Sequence, residues 1–183
     1  MSISLQGDGE ELWMKLVEAY SSPMFSTVER LSARQTFLSR DADRVATIKS
    51  HLIKDKFWWL ALGLVEELAP EERVPLLPEL IYWLFSSRLG DVPPIQALLL
   101  SLPKDILATE LEPLSEPYLA SDDDENWDLL LTLCEQFDIA LTTRVALRAT
   151  ESASADVQEI GQHFLTTYCL PPFARRQQLP PGF

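Results

Sequence analysis

Glycine is scarce in this chain, with six residues in 183, at positions 7, 9, 63, 90, 161 and 182. No glycine-rich run exists, so nucleotide binding through the familiar phosphate-cradling loops is excluded. Histidine and cysteine are scarcer, with His51, His163, Cys134 and Cys169 the full complement. The histidines have no second His or Cys close in sequence except Cys169, six residues past His163 and followed by Pro171-Pro172 and no further ligand. Spacing therefore offers no metal site, and each histidine reads as a surface or half-buried helical residue. Two cysteines are too few for a disulfide framework, which agrees with a reducing cytoplasm. Gly-x-Ser-x-Gly is missing, and with it the strained turn that exposes a nucleophilic serine. Long apolar stretches are missing too. The longest, Phe57 to Val65, has nine residues, whereas a membrane span needs about twenty. The first residues lack a basic segment followed by an apolar one, so no signal peptide is expected and a cytoplasmic location is.

Positive charge is also in short supply. Fifteen Lys and Arg face 28 Asp and Glu, a net charge of −13. Nucleic-acid binding draws its free energy largely from neutralising phosphates, so this surface repels DNA and RNA, and anionic membranes for the same reason. A basic protein partner is favoured, because long-range attraction speeds its encounter. The plainer alternative is that the charge keeps the chain in solution.

What is present is helical text. Apolar residues make up 46% of the chain, enough for a continuous core. Phe57, Leu60, Ala61, Leu64, Val65 and Leu68 form a stripe at helical spacing. Trp127, Leu130, Leu131, Cys134 and Phe137 form a second, and Val157, Ile160, Gly161, Phe164, Leu165 and Tyr168 a third. Leu12, Leu16, Val17 and Tyr20 give a shorter one. Asp8 with Glu11 and Ser26 with Glu29 mark helix starts, and Asp41, Asp55, Asp91 and Ser154 are further caps. Prolines 23, 70, 93, 94 and 103 sit where helices begin or pause, while Pro75, Pro78, Pro113 and Pro117 predict short or kinked helices. Residues 169–183, CLPPFARRQQLPPGF, read as an extended arm. Its Arg175-Arg176 pair is too small a charge for nucleic acid.

A helix–turn–helix plan recurs in Phe57 to Leu84, Val92 to Leu119 and Trp127 to Arg148. The first helices end at Leu68, Leu102 and Phe137, 34 and 35 residues apart. Such a period predicts stacked helical hairpins, each too small to bury its apolar face alone. The expected fold is all-α, a single domain built as a right-handed stack of antiparallel hairpins with about eight to eleven helices. A helical cap over 1–48, a repeat body over 49–168 and the arm over 169–183 complete the expected organisation.

Three segments carry a family resemblance: His51-Leu52-Ile53-Lys54-Asp55-Lys56, Glu66 to Arg73, and Leu77-Pro78-Glu79-Leu80-Ile81-Tyr82-Trp83-Leu84. With the later Asp122-Asp123-Asp124-Glu125-Asn126-Trp127, the chain over about residues 50–165 resembles a group of small bacterial helical domains of uncharacterised function. Two of the group's features have no counterpart here, the proline of the Lys-Asp opening and a Trp-Pro pair after the second helix, where Ser86 to Gly90 stand. The resemblance implies a HEAT- or armadillo-like stack and no known reaction.

No catalytic, cofactor-binding or metal-binding residue is assigned. Cys134 lies on an apolar stripe and reads as a core residue. Carboxylates are too common here for any pair to be promoted to general acid or base. The candidate partner-binding residues are Asp122, Asp123, Asp124 and Glu125, an acidic knob, with Trp59 and Tyr82 as aromatic anchors of a groove. Each has a plainer reading, which is preferred: four acids favour the positive end of a helix, and large aromatics stay in the core. The sequence therefore points to a protein-binding protein, in its sharper form an immunity or antitoxin protein that neutralises a basic toxin. An adaptor or scaffold for a resident protein is the alternative, and an enzyme with scattered carboxylates the least favoured reading.

Overall fold

A computed structural model of the protein describes residues 6–53, 55–86 and 92–169, and every regular element among them is helical, with no strand. No helix among them is long and apolar enough to cross a membrane. The chain divides into two compact units, Met1–Glu79 and Leu80–Phe183.

The first unit contains α1 (Gln6–Ser21), α2 (Thr27–Arg40), α3 (Arg44–Leu52), α4 (Trp58–Val65) and the short α5 (Pro70–Arg73). A 3₁₀ turn, Val74–Leu76, leads into α6 (Leu77–Ser86), which carries the division between the units. Helix α1 packs on α2 and α3, and α3 packs on α4. Trp13, Leu16, Phe37, Ile48, Leu52, Leu60 and Leu64 fill the core, each burial contributing roughly 1.5–3 kcal/mol. The expected capping box is present: Ser26 N–H donates to Glu29 Oε2 at 2.7 Å and Glu29 N–H to Ser26 Oγ at 3.4 Å. Arg34 ties α2 to the end of α4 by donating to the Gly63 carbonyl and pairing with Glu67. The Phe57–Leu68 stripe spans more than one element, since α4 closes at Val65 and Leu68 is buried from the turn beyond it. Pro75 and Pro78 shorten their helices as expected, because each falls in or beside the 3₁₀ turn.

The second unit contains α7 (Val92–Leu100), α8 (Lys104–Leu119), α9 (Asp124–Cys134), α10 (Ile139–Thr150) and α11 (Ala155–Phe164), closed by a π-type turn, Leu165–Cys169. Helices α9, α10 and α11 pack mutually, with α8 against α9 and α7 against α8. A close approach between α10 and α11 depends on Gly161. A Cβ there would lie 2.7 Å from the Ala146 carbonyl oxygen and 2.9 Å from Ala149 Cβ. Trp127, Leu130, Leu131 and Cys134 are buried, as are Val157 and Phe164. Tyr168 leaves the third stripe for solvent, because the wider winding of the π-type turn rotates it off the buried face.

The expectation that Pro113 and Pro117 shorten or kink their helix does not hold in its stronger form. Helix α8 continues through both for sixteen residues. Both prolines are exposed, so water can take up the carbonyls left without an N–H partner. Three other expectations shift in detail. Helix α1 begins at Gln6, upstream of Asp8. Asp41 ends α2, and it accepts from the Asp43 N–H at 2.9 Å. Asp55 stands two residues before α4's N-cap, Phe57, and accepts its N–H at 3.0 Å. Ser154 caps α11 as expected. Asp91, the side chain of Asp8 and residues 170–183 of the arm lie outside the described residues.

Candidate functional site

The acidic run opens α9. Asp123 is its N-cap and accepts from the Glu125 N–H at 3.1 Å, and Asp124 and Glu125 occupy the first turn. The helix end thus accounts for three of the four acids. Asp122 is held differently. It has φ 51°, a left-handed conformation that few residues other than glycine adopt, and its Oδ1 accepts from Ser152 Oγ at 2.9 Å. On the other flank, Asn126 Nδ2 donates to the Tyr118 carbonyl at 2.9 Å.

Beside this run the packing of α9 on α11 forms a hollow of about 340 Å³, lined by Asp124, Asp128, Asp156, Glu159, Ile160 and His163. Of the residues expected to bind a partner, the hollow takes in only Asp124. Asp128, Asp156, Glu159 and His163 were not singled out from the sequence. Their spacing was legible, since Asp124 and Asp128 are one turn apart, as are Glu159 and His163, with Asp156 one turn earlier. What the spacing could not supply was the pairing of α9 with α11. None of the ion pairs among the described residues involves any of these four carboxylates. Nearby carboxylates on α8 are matched instead. Glu112 pairs with Arg144 at 2.8 Å, and Glu116 pairs with Arg148. The hydrogen bond from Arg148 holds Glu116 below the usual carboxylate range, against the opposing effect of burial.

Trp59 and Tyr82 lie in different units, each with its own aromatic neighbour. Trp59 meets Tyr20 edge-on at 6.3 Å, and Tyr82 meets Trp83 edge-on at 5.6 Å. The preference for a core Trp59 is corrected, since it is 46% exposed. On α4 the buried positions are Leu60, Ala61, Leu64 and Val65, and Trp59 points off that face.

A second polar array sits in the first unit, where the sequence suggested only a half-buried histidine. His51 Nδ1 lies 2.7 Å from Asp55 Oδ2, and Trp13 Nε1 donates to the same oxygen at 3.3 Å. Burial raises the Asp55 pKa, yet bonds from the Phe57 N–H, His51 and Trp13 outweigh it and hold the carboxyl below its ordinary value. An ionised Asp55 has no proton to give, so His51 Nδ1 carries the proton and donates it. His51 Nε2 then faces Glu10 Oε2 at 3.3 Å, without hydrogen-bond geometry. The i, i+4 spacing of His51 and Asp55 could have signalled the pair, but nothing in the sequence placed Trp13 on it.

Cys134 is buried, and burial, reinforced by Glu112 and Asp138, pushes its thiol up to about 12. It is a core group without nucleophilic character at neutral pH. No three His, Cys, Asp or Glu residues among those described converge closely enough to hold a metal ion. No protein-family model matches the chain, and neither a characterised protein nor a solved structure is significantly similar to it.

Proposed function

We propose that this chain is a non-enzymatic, cytoplasmic helical-repeat protein that binds a basic protein partner, in its sharper form an immunity protein that neutralises a basic toxin. The observation that carries the reading is the hollow between α9 and α11, where four carboxylates gather and none has an ion pair among the described residues. Mutual repulsion among them is relieved when a cation arrives, which gives the face a preference for Lys- or Arg-rich surfaces. The net charge of −13 extends that preference to long range. The repeat architecture is read from the hairpins α7–α8 and α9–α10, whose plan recurs at a 35-residue interval between Leu102 and Phe137.

The test is affinity capture from a lysate of the source organism at rising ionic strength, with wild type beside a variant carrying Asp124→Asn, Asp128→Asn, Asp156→Asn and Glu159→Gln. The reading expects a basic protein that wild type retains, that elutes as salt rises, and that the variant fails to hold. Retention of the same protein by both would overturn it. If the captured protein is toxic when expressed alone and harmless beside this chain, the immunity form stands; if it is harmless alone, that form falls.

A further inference from the structure

A second hollow, of about 430 Å³, lies in the first unit. Gly9 and Glu10 of α1 and Asp41, Asp43, Thr47 and Ser50 in and before α3 line it. Asp41 forms its most demanding group. Only 4% of it is exposed, its Oδ1 accepts from the Asp43 N–H, and its Oδ2 has no hydrogen-bond partner among the described residues. A buried carboxylate oxygen without a donor is costly, and native proteins seldom leave one so. Gly9 lets α1 approach this oxygen closely, since a Cβ there would lie 2.7 Å from Thr47 Oγ1 and 3.0 Å from Asp41 Oδ2. Among the described residues, the lysines and arginine nearby pair with carboxylates outside the hollow. Lys15 pairs with Glu11, Arg44 with Glu72 and Lys49 with Glu79, while His51 bonds Asp55 through Nδ1 and lies 3.3 Å from Glu10 Oε2 through Nε2.

We infer that this hollow is a binding site for a small organic cation bearing an ammonium or guanidinium group, which donates to Asp41 Oδ2 and is flanked by Glu10 and Asp43. The carboxylates do not converge as a metal requires, but they suit an elongated cation whose donors reach separate oxygens. The volume falls in the range of small-molecule pockets, about 300–1,000 Å³. The site is in the first unit and does not depend on the protein-partner reading, which rests on α9 and α11.

Calorimetric titration of the full chain with agmatine, which carries a guanidinium and an ammonium, tests the inference at physiological ionic strength. Saturable binding of one equivalent is expected, with amide NMR shifts at Gly9, Thr47 and Ser50. Asp41→Asn should weaken it by about tenfold or more, since a charge-assisted bond is lost. Glu10→Gln with Asp43→Asn, both at exposed positions that leave the core intact, should weaken it several-fold and serves if the Asp41 variant fails to fold. A glycine peptide with one arginine is the comparison probe. Tighter binding of agmatine identifies a free cation, and tighter binding of the peptide identifies an arginine side chain. Either order supports the site. No saturable binding of either probe, or binding that all variants retain, would overturn it as diffuse attraction to an acidic surface.

Discussion

His51 lies face to face on Trp13, with ring centroids 4.2 Å apart and planes 11° from parallel. Both rings also reach Asp55, through His51 Nδ1 and Trp13 Nε1, so one carboxylate fixes two aromatic groups from different helices. The stack joins α1 to α3 by a part-buried polar contact at the edge of an apolar core. This makes Asp55 a point where stability depends on pH.

The Asp55 pKa in the folded state is below its ordinary 3.8. The stabilisation it provides is therefore complete above that ordinary value and is lost as pH falls through the lower, folded one. Asp55→Asn removes this dependence. In acid titrations followed by circular dichroism, the variant should be less stable than wild type at neutral pH, by about 1–3 kcal/mol. The gap should narrow below pH 3.8. A constant difference across the titration would show that Asp55 acts through shape alone.

Leu64 is fully buried on α4. Leu64→Asp introduces a charge without a partner into the first unit's core, a change that costs about 4 kcal/mol or more. Helical ellipticity and melting temperature should both drop markedly. Near-wild-type melting would refute the assignment of this face to the core.

At Gly161 two effects oppose each other, and their sizes decide the sign. Helix propensity alone makes Gly→Ala favourable by about 1 kcal/mol. The clash with the Ala146 carbonyl, 2.7 Å from the new carbon, belongs to the overpacking class at about 1–3 kcal/mol. Gly161→Ala is expected to lower the midpoint of chemical denaturation, whereas Gly63→Ala, whose Cβ would meet only the Arg34 guanidinium at an ordinary contact distance of 3.7 Å, should raise it or leave it unchanged. A stabilised Gly161→Ala would mean that α11 shifts freely on α10.

Cys134 should be inert toward a thiol reagent near neutral pH, because its pKa is pushed up to about 12 and its sulfur is buried. In a Cys169→Ser background, labelling should follow unfolding by denaturant. Rapid labelling of the native chain would place Cys134 outside the core.

Periodicity carried most of the secondary structure. The stripes around Leu64, Leu131 and Val157 are helices with those residues inside, because a one-sided apolar face at 3.6-residue spacing leaves the chain little choice. Local chemistry was legible where it acts within a turn, as at Ser26 and Glu29. It was overlooked at Asp138, whose carboxylate accepts from the Ala140 and Leu141 N–H groups and starts α10. Pro113 and Pro117 misled because proline's cost depends on what lies beyond its ring, and here that is water. The candidate sites were the least visible part. Asp41 and Gly9 are 32 positions apart, and Asp124 and Glu159 are 35 apart, so each hollow exists only once helices distant in sequence have packed.

The brace around Asp122 bears on any ligand that meets the acidic run. Ser152 Oγ holds the Asp122 carboxylate and the Glu125 N–H holds that of Asp123, so these two carboxylates have fixed orientations before any encounter. A cation that met these two carboxylates would forfeit little conformational entropy, and its selection would follow from the fixed spacing of charge rather than from a loop reshaping itself around whatever arrives.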